Sequence, residues 1–250
     1  MDKKIVLITG SATGLGRSVA LKLADKGYNL ALVDFNEEAG NETLSLVKEK
    51  GAEAIFVKAD VSKEEDVQNY VNKTVEKFGK IDYFLNNAGI MVPLKLIHEY
   101  ELSEFERVIS VNLKGVFLGL KYVIPVLQKN GGGSIVNTAS SNSFKPTAFN
   151  GLYSATKHAV AALTKSIGQD YQDQNIYAVG VAPNNMKTGI ANKTFGNMTE
   201  ERVKQLQAST GPSRAATPEE IADVVIFALT EGGPMLTGTI VNCAGGEIYN

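Results

Sequence analysis

Tyr153 and Lys157 frame the run Tyr153-Ser154-Ala155-Thr156-Lys157, and a spacing of four puts both side chains on one face of a helix. A phenol beside an ammonium is an acid/base pair. Tyrosine ordinarily gives up its proton near pH 10, and each unit by which a cation lowers that value corresponds to about 1.4 kcal/mol of preference for the phenolate. A phenol tuned in this way gives a proton to a ketone oxygen or takes one from an alcohol. Such pairs also arise by chance on solvated helices, so the spacing selects nothing until other chemistry stands beside it.

That chemistry begins near the N-terminus. Thr9-Gly10-Ser11-Ala12-Thr13-Gly14-Leu15-Gly16 follows a short apolar run and precedes a helical stretch from Arg17 to about Asp25. Glycines let the backbone turn sharply and approach a pyrophosphate, and the helix behind them offers free N–H groups and the positive end of its dipole. The spacing differs from the commoner G-x-G-x-x-G turn. Eighteen residues past Gly16, a second apolar run ends at Asp34, whose carboxylate can accept hydrogen bonds from the adenosine ribose hydroxyls and would repel a 2′-phosphate. Ser11, Ala12, Thr13 and Phe35 bring no cation, and Arg17 lies one turn inside the helix, so the expected cofactor is NAD rather than NADP.

These groups need a scaffold. The chain has 250 residues, 44% hydrophobic and 21% charged, which suits one globular domain over 1–250. A net charge of -2 with no basic cluster argues against nucleic acid as a partner. Cys243 is the single cysteine, so no internal disulfide or thiolate cluster is possible and a reducing, cytoplasmic setting is expected. No run of about 18 apolar residues predicts a membrane span. Short β-branched runs alternate with helical stretches, the pattern of βαβ units around a buried parallel sheet. Seven strands are predicted at Lys4–Thr9, Asn29–Asp34, Glu53–Lys58, Asp82–Asn86, Ser134–Thr138, Ile176–Ala182 and Thr239–Cys243. Capping boxes Ser62…Glu65, Ser103…Glu106 and Thr217…Glu220 predict helix starts, the last with Pro218 at the first helical position and a helix running to about Leu229. The helix of Tyr153 should reach about Tyr171. Residues 184–216, a polar stretch rich in Thr, Asn and Gly, read as a substrate-binding loop or lid.

Over essentially its whole length the chain resembles the short-chain dehydrogenase/reductase family of the Tyr-x-x-x-Lys type. Thr9-Gly10-x-x-x-Gly14-x-Gly16 is similar to that family's glycine turn, and Asp60-Val61 to its adenine-contacting pair. Asn86-Asn87-Ala88-Gly89 resembles the segment that lies against the adenine ribose and braces the sheet. Asn112 matches the asparagine that holds a water near the lysine. Ser140, thirteen residues before Tyr153, matches the catalytic serine; Ser141 and Ser143 lie close, and spacing favours Ser140.

The resemblance implies a single-domain Rossmann-type, doubly wound parallel seven-stranded sheet flanked by helices on both faces. It implies catalysis by Asn112, Ser140, Tyr153 and Lys157: Tyr153 as general acid/base, Ser140 donating to the substrate oxygen, Lys157 lowering the phenol and binding the nicotinamide ribose, and Asn112 with a held water forming a proton relay. Cofactor contacts are implied at Gly10, Thr13, Gly14, Leu15, Gly16, Asp34, Asp60, Val61, Asn87, Ala88, Gly89, Tyr153, Lys157, Pro183, Met186 and Thr188. Two departures stand out. The family's P-G-x-x-x-T is here Pro183-Asn184-Asn185-Met186-Lys187-Thr188, where Asn184 is expected to keep the turn because Asn tolerates positive φ. Its V-D-G-G is here Cys243-Ala244-Gly245-Gly246, losing an acidic residue of structural or subunit-contact role.

His98 and His158 have no carboxylate or cysteine partners suited to a metal, and no G-x-S-x-G elbow marks a hydrolase. Leu113–Leu120 mixes small and large apolar residues, as close helix packing requires; in the resembled family this helix and that of Tyr153 form subunit contacts, which implies a homotetramer. The leading expectation is an NAD-dependent oxidoreductase acting on a small-molecule secondary alcohol or ketone. The alternatives are a 3-oxoacyl-[acyl-carrier-protein] reductase, which generally carries a basic residue where this chain has Thr13, and a non-catalytic NAD-binding sensor. Substrate choice rests on residues 91–100, 142–152 and 184–216. Phe144, Phe149, Leu152 and Phe195 there either line an apolar pocket or pack the lid.

Overall fold

A computed structural model describes residues 3–186, 199–210 and 214–245. Seven strands form one parallel sheet: β1 (Ile5–Thr9), β2 (Asn29–Asp34), β3 (Ala54–Lys58), β4 (Tyr83–Asn86), β5 (Gly133–Thr138), β6 (Ile176–Pro183) and β7 (Ile240–Cys243). Their order is β3-β2-β1-β4-β5-β6-β7. The first half of the chain therefore winds one way from β1 and the second half the other, and the ends of β1 and β4 meet at the reversal point, where open α/β sheets bind ligands.

Each strand is largely apolar because alternate residues enter different layers, both of them covered by helices. Val6 and Ile8 join a core with α1 (Gly14–Asp25), α2 (Glu37–Glu49) and, near the C-terminus, the helix Pro218–Thr230. Leu7 between them joins the opposite core, built on α3 (Glu64–Phe78), α5 (Gly115–Lys129) and α6 (Gly151–Asp170). Gly119 packs so tightly there that a Cβ would lie 2.9 Å from the Phe84 ring, which explains the mixed small and large residues of that helix. The remaining helices are α4 (Leu102–Ile109), joined to α5 by a π-helical turn at Ser110–Lys114, then α7 (Glu200–Thr210), α8 (Pro218–Thr230) and α9 (Gly233–Leu236). By length and mean hydropathy the continuous helical run Leu102–Lys129 is apolar enough to cross a bilayer although it is interrupted by charged residues, and half of its most apolar stretch is buried within the fold.

Thr217 and Glu220 form the expected capping box, with Pro218 opening α8. The other two boxes need correction. Ser62 donates from both its amide and its hydroxyl to Asp60 Oδ1, leaving Lys63 as the uncapped residue ahead of α3. Before α4, Glu101 and Glu104 take the positions expected of Ser103 and Glu106, with Glu104 reaching back to the Glu101 amide. Ahead of α3 the Asp60 carboxylate draws the Ser62 hydroxyl away from the helix, and before α4 the Glu104 carboxylate takes the backbone amide instead of a serine.

Candidate active site

The glycine turn joins β1 to α1 at the sheet's C-terminal edge. Gly10 has φ +67°, which favours glycine, and a Cβ on Gly16 would lie 2.0 Å from the Gly10 carbonyl oxygen, so only glycine permits this approach of helix to turn. Thr13 precedes α1 in extended conformation without capping it, and no acidic residue occupies the first turn. The helix thus presents uncapped N–H groups beneath the exposed Thr13, with Gly14, Leu15 and Gly16 forming the first turn. This suits a phosphate.

Asn87 braces this turn. Its Nδ2 donates to the carbonyls of Thr9 (3.0 Å) and Gly10 (3.2 Å), while its Oδ1 accepts from Thr138 Oγ1 at the end of β5. Thr9 Oγ1 accepts from the amides of Asn87 and Ala88, tying β1 to β4. Asp34 closes the other side: one oxygen accepts from the Ala12 amide and the other from the Asn36 amide, both at 2.9 Å. Arg17 points away from this carboxylate, donating to the Ala12 and Ala39 carbonyls, Thr43 Oγ1 and Glu42. Asp60 is held by Ser62, and Val61 packs on Gly115.

Tyr153, Lys157 and Ser140 converge beside that turn. Ser140 ends the chain's exit from β5; its Oγ accepts from the Asn142 amide and its hydroxyl is hydrogen-bonded to the Tyr153 phenol. Its neighbours are engaged elsewhere, Ser141 with Asn184 Oδ1 and Ser143 with the Lys157 carbonyl. Geometry therefore singles out Ser140 among the three. Lys157 Nζ donates to the Thr138 carbonyl at 2.6 Å and lies 5.6 Å from the centre of the Tyr153 ring. Burial pushes the Tyr153 phenol up to about 12, against the lowering effect of Ser140, and brings the Lys157 ammonium down to about 8. Desolvation thus opposes both charged forms, and the protein's own groups hold the phenol protonated across the neutral range.

Asn112 sits in the π-helical turn with its carboxamide fully engaged. Oδ1 accepts from the Ile90 amide and Nδ2 donates to the Ile90 carbonyl, both at 2.8 Å. Thr156 Oγ1, 3.5 Å from Nδ2, links this clamp to α6. Gly89 passes against the same carboxamide.

Asn142 is a residue that sequence reasoning missed. Its Oδ1 accepts from the Thr147 amide and Ser154 Oγ, fastening the Ser140 turn to the start of α6. The preference of Asn for such local turns was the available signal. The expectation for Asn184 is corrected: Asn184 is absent from the described non-glycine residues at positive φ, and its side chain instead meets Ser141. Pro183 ends β6 and Met186 bridges to Ala216. Thr188, Phe195 and Gly246 lie outside the described residues, and residues 184–216 are described only in part. Leu152 is buried with Val92 and Val108, Phe144 is partly exposed, and Phe149 lies under Arg202. Among the described residues no metal-binding cluster of His, Cys, Asp or Glu occurs.

This arrangement sets a phenol and an ammonium beside a glycine turn whose helix amides are uncapped. The family model for short chain dehydrogenases matches residues 4–199. A levodione reductase of Leifsonia aquatica is 36% identical over 98% of this chain and 94% of its own length. A crystal structure of levodione reductase superposes with a TM-score of 0.90 at 35% identity, covering 97% of this chain and 96% of that one. One of NAD+-bound xylitol dehydrogenase does so with a TM-score of 0.89 at 33% identity, covering 97% and 98%.

Proposed function

Because this chain belongs to the short-chain dehydrogenase family of oxidoreductases, we propose that it interconverts a small-molecule secondary alcohol and its ketone with NAD, Tyr153 being the general acid/base. The observation that carries this reading is the Tyr153 phenol bonded to Ser140, with Lys157 across its ring, beside an uncapped glycine turn. When bound, the nicotinamide supplies the hydride acceptor or donor.

The residues do the rest. Gly10, Gly14 and Gly16 admit the pyrophosphate to the amides of α1, and Asp34 faces the adenosine ribose. Ser140, oriented by the Asn142 amide, donates to the substrate oxygen. Tyr153 delivers a proton to that oxygen in reduction or removes one in oxidation. Lys157 contributes a positive charge that favours the phenolate and donates to the nicotinamide ribose, and Asn112 stiffens the wall behind it.

Asp34 and the engagement of Arg17 support NAD over NADP. To meet a 2′-phosphate, Arg17 would have to abandon four bonds. Lys95, Arg202 and Arg214, three of the basic residues in the expected substrate segments, are paired with Glu104, Glu99 and Glu220, which weighs against their forming a basic dock for a carrier protein. Titration with NADH and NADPH, followed by energy transfer from tyrosine to the reduced nicotinamide, should show NADH bound at least tenfold more tightly, and a panel of ketones should then be reduced. Tighter binding of NADPH overturns the reading of Asp34; binding without turnover of any ketone favours the sensor.

The same proposal places the protein in the cytoplasm as a homotetramer. Phe117 on α5, 50% exposed despite its size, supports burial of that helix against another copy. Light scattering should give four times the 26.8 kDa chain mass, and a monomer mass would exclude the assembly.

A further inference from the structure

Phe149 has φ +61°. The other described non-glycine residue in that region is Asn175, a type that tolerates it, whereas a bulky aromatic is held there against its preference. Its restraints come from the three segments that surround the substrate side of the site. From residues 91–100, the Lys95 amide and the Tyr100 hydroxyl both donate to the Phe149 carbonyl, at 2.8 and 3.0 Å. From α7, the Arg202 guanidinium lies 5.4 Å from the centre of the Phe149 ring. Arg202 in turn pairs with Glu99 at 2.6 Å, and the other Glu99 oxygen accepts from the Leu96 amide. Phe149 itself precedes Asn150, whose carbonyl accepts the Ser154 amide as α6 begins. Tyr153 is one turn further on.

We infer that Phe149 is a positioning residue, and that Arg202, clasped between its ring and Glu99, couples the docking of α7 to the start of the helix that carries Tyr153. The clasp is part-exposed, so each of its two contacts is weak and water competes for both. A weak clasp lets α7 release and redock, while the bonds to the Phe149 carbonyl keep the turn from relaxing. The consequence for catalysis rests on the oxidoreductase reading above; the mechanical coupling does not.

Hydrogen exchange of Arg202→Met against the full-length wild type reads the coupling without any substrate. Exchange in residues 200–210 and in residues 147–154 should rise together, about tenfold, with β1 unchanged, and Arg202→Lys should restore most of the protection. In turnover, Arg202→Met should raise the ketone KM about tenfold, change kcat less than threefold and leave NADH affinity within twofold. Faster exchange confined to residues 200–210, or unchanged exchange in both segments, overturns the inference. Loss of NADH affinity in Arg202→Met would also overturn it, because the residue would then be supporting the whole fold. If no ketone is turned over, the oxidoreductase reading fails while the exchange result still decides the clasp.

Discussion

Tyr153→Phe should bind NADH as tightly as the wild type and reduce ketones roughly 10³-fold more slowly, within the range that general acid catalysis contributes. Phenylalanine keeps the ring that faces Lys157 Nζ, so the substitution removes one oxygen and little packing. Ser140 loses a hydrogen-bond partner, yet its Oγ keeps the Asn142 amide and the turn after β5 stays in place. With the phenol at about 12, wild-type Tyr153 is protonated throughout the neutral range and ready to donate. Energy-transfer titration gives the affinity and steady-state rates give kcat. A variant that keeps more than a tenth of wild-type kcat would remove Tyr153 from the acid/base role.

Lys157→Met should lose activity by at least 10²-fold and yet unfold at the same temperature as the wild type or higher. The wild-type side chain is almost fully buried, and desolvation brings its ammonium down from 10.5 to about 8. At pH 7 the lysine is charged both folded and unfolded, so the cost of burying the charge is fully present. Between pH 8 and 10.5 the unfolded chain binds the extra proton, and wild-type stability should therefore rise with pH through that window. Methionine has no proton to titrate and should flatten that slope, while leaving the Thr138 carbonyl without its 2.6 Å donor, a loss of about 1 kcal/mol. Denaturant unfolding from pH 7 to 9.5 separates the outcomes. A variant much less stable than wild type at pH 7 would mean that Lys157 is held for structure.

The sheet was legible in the sequence because its strands are buried on both faces and read as apolar runs; each predicted strand falls within one residue of the observed one at either end. The glycine turn and the Tyr153–Lys157 helix were legible for a similar reason, since their spacing is local. What escaped was set by partners far along the chain. Nothing near Phe149 signals its left-handed backbone, because Lys95 and Tyr100, 54 and 49 residues away, impose it. Spacing favoured Ser140 over Ser141 and Ser143, and the contacts that engage the latter two, with Asn184 and the Lys157 carbonyl, come from β6's end and α6, far along the chain. Ser62 and Ser103 misled because a capping pattern records what serine can do, whereas Asp60 engaged the Ser62 hydroxyl and Glu101 and Glu104 capped α4 first.

The strand order also governs how the protein is made. Of the strands in this sheet β1 is made first, and it ends in the sheet's interior with all five residues buried. One edge finds β2 within some twenty residues of chain, but the other pairs with β4, so Val6 waits for Tyr83. At ordinary rates of synthesis that is a delay of roughly 4–15 s, during which an apolar strand has an open edge able to pair with any other extended chain. No other pairing in this sheet waits as long, so β1, an interior strand of the finished sheet, is the one a nascent-chain chaperone has most reason to cover.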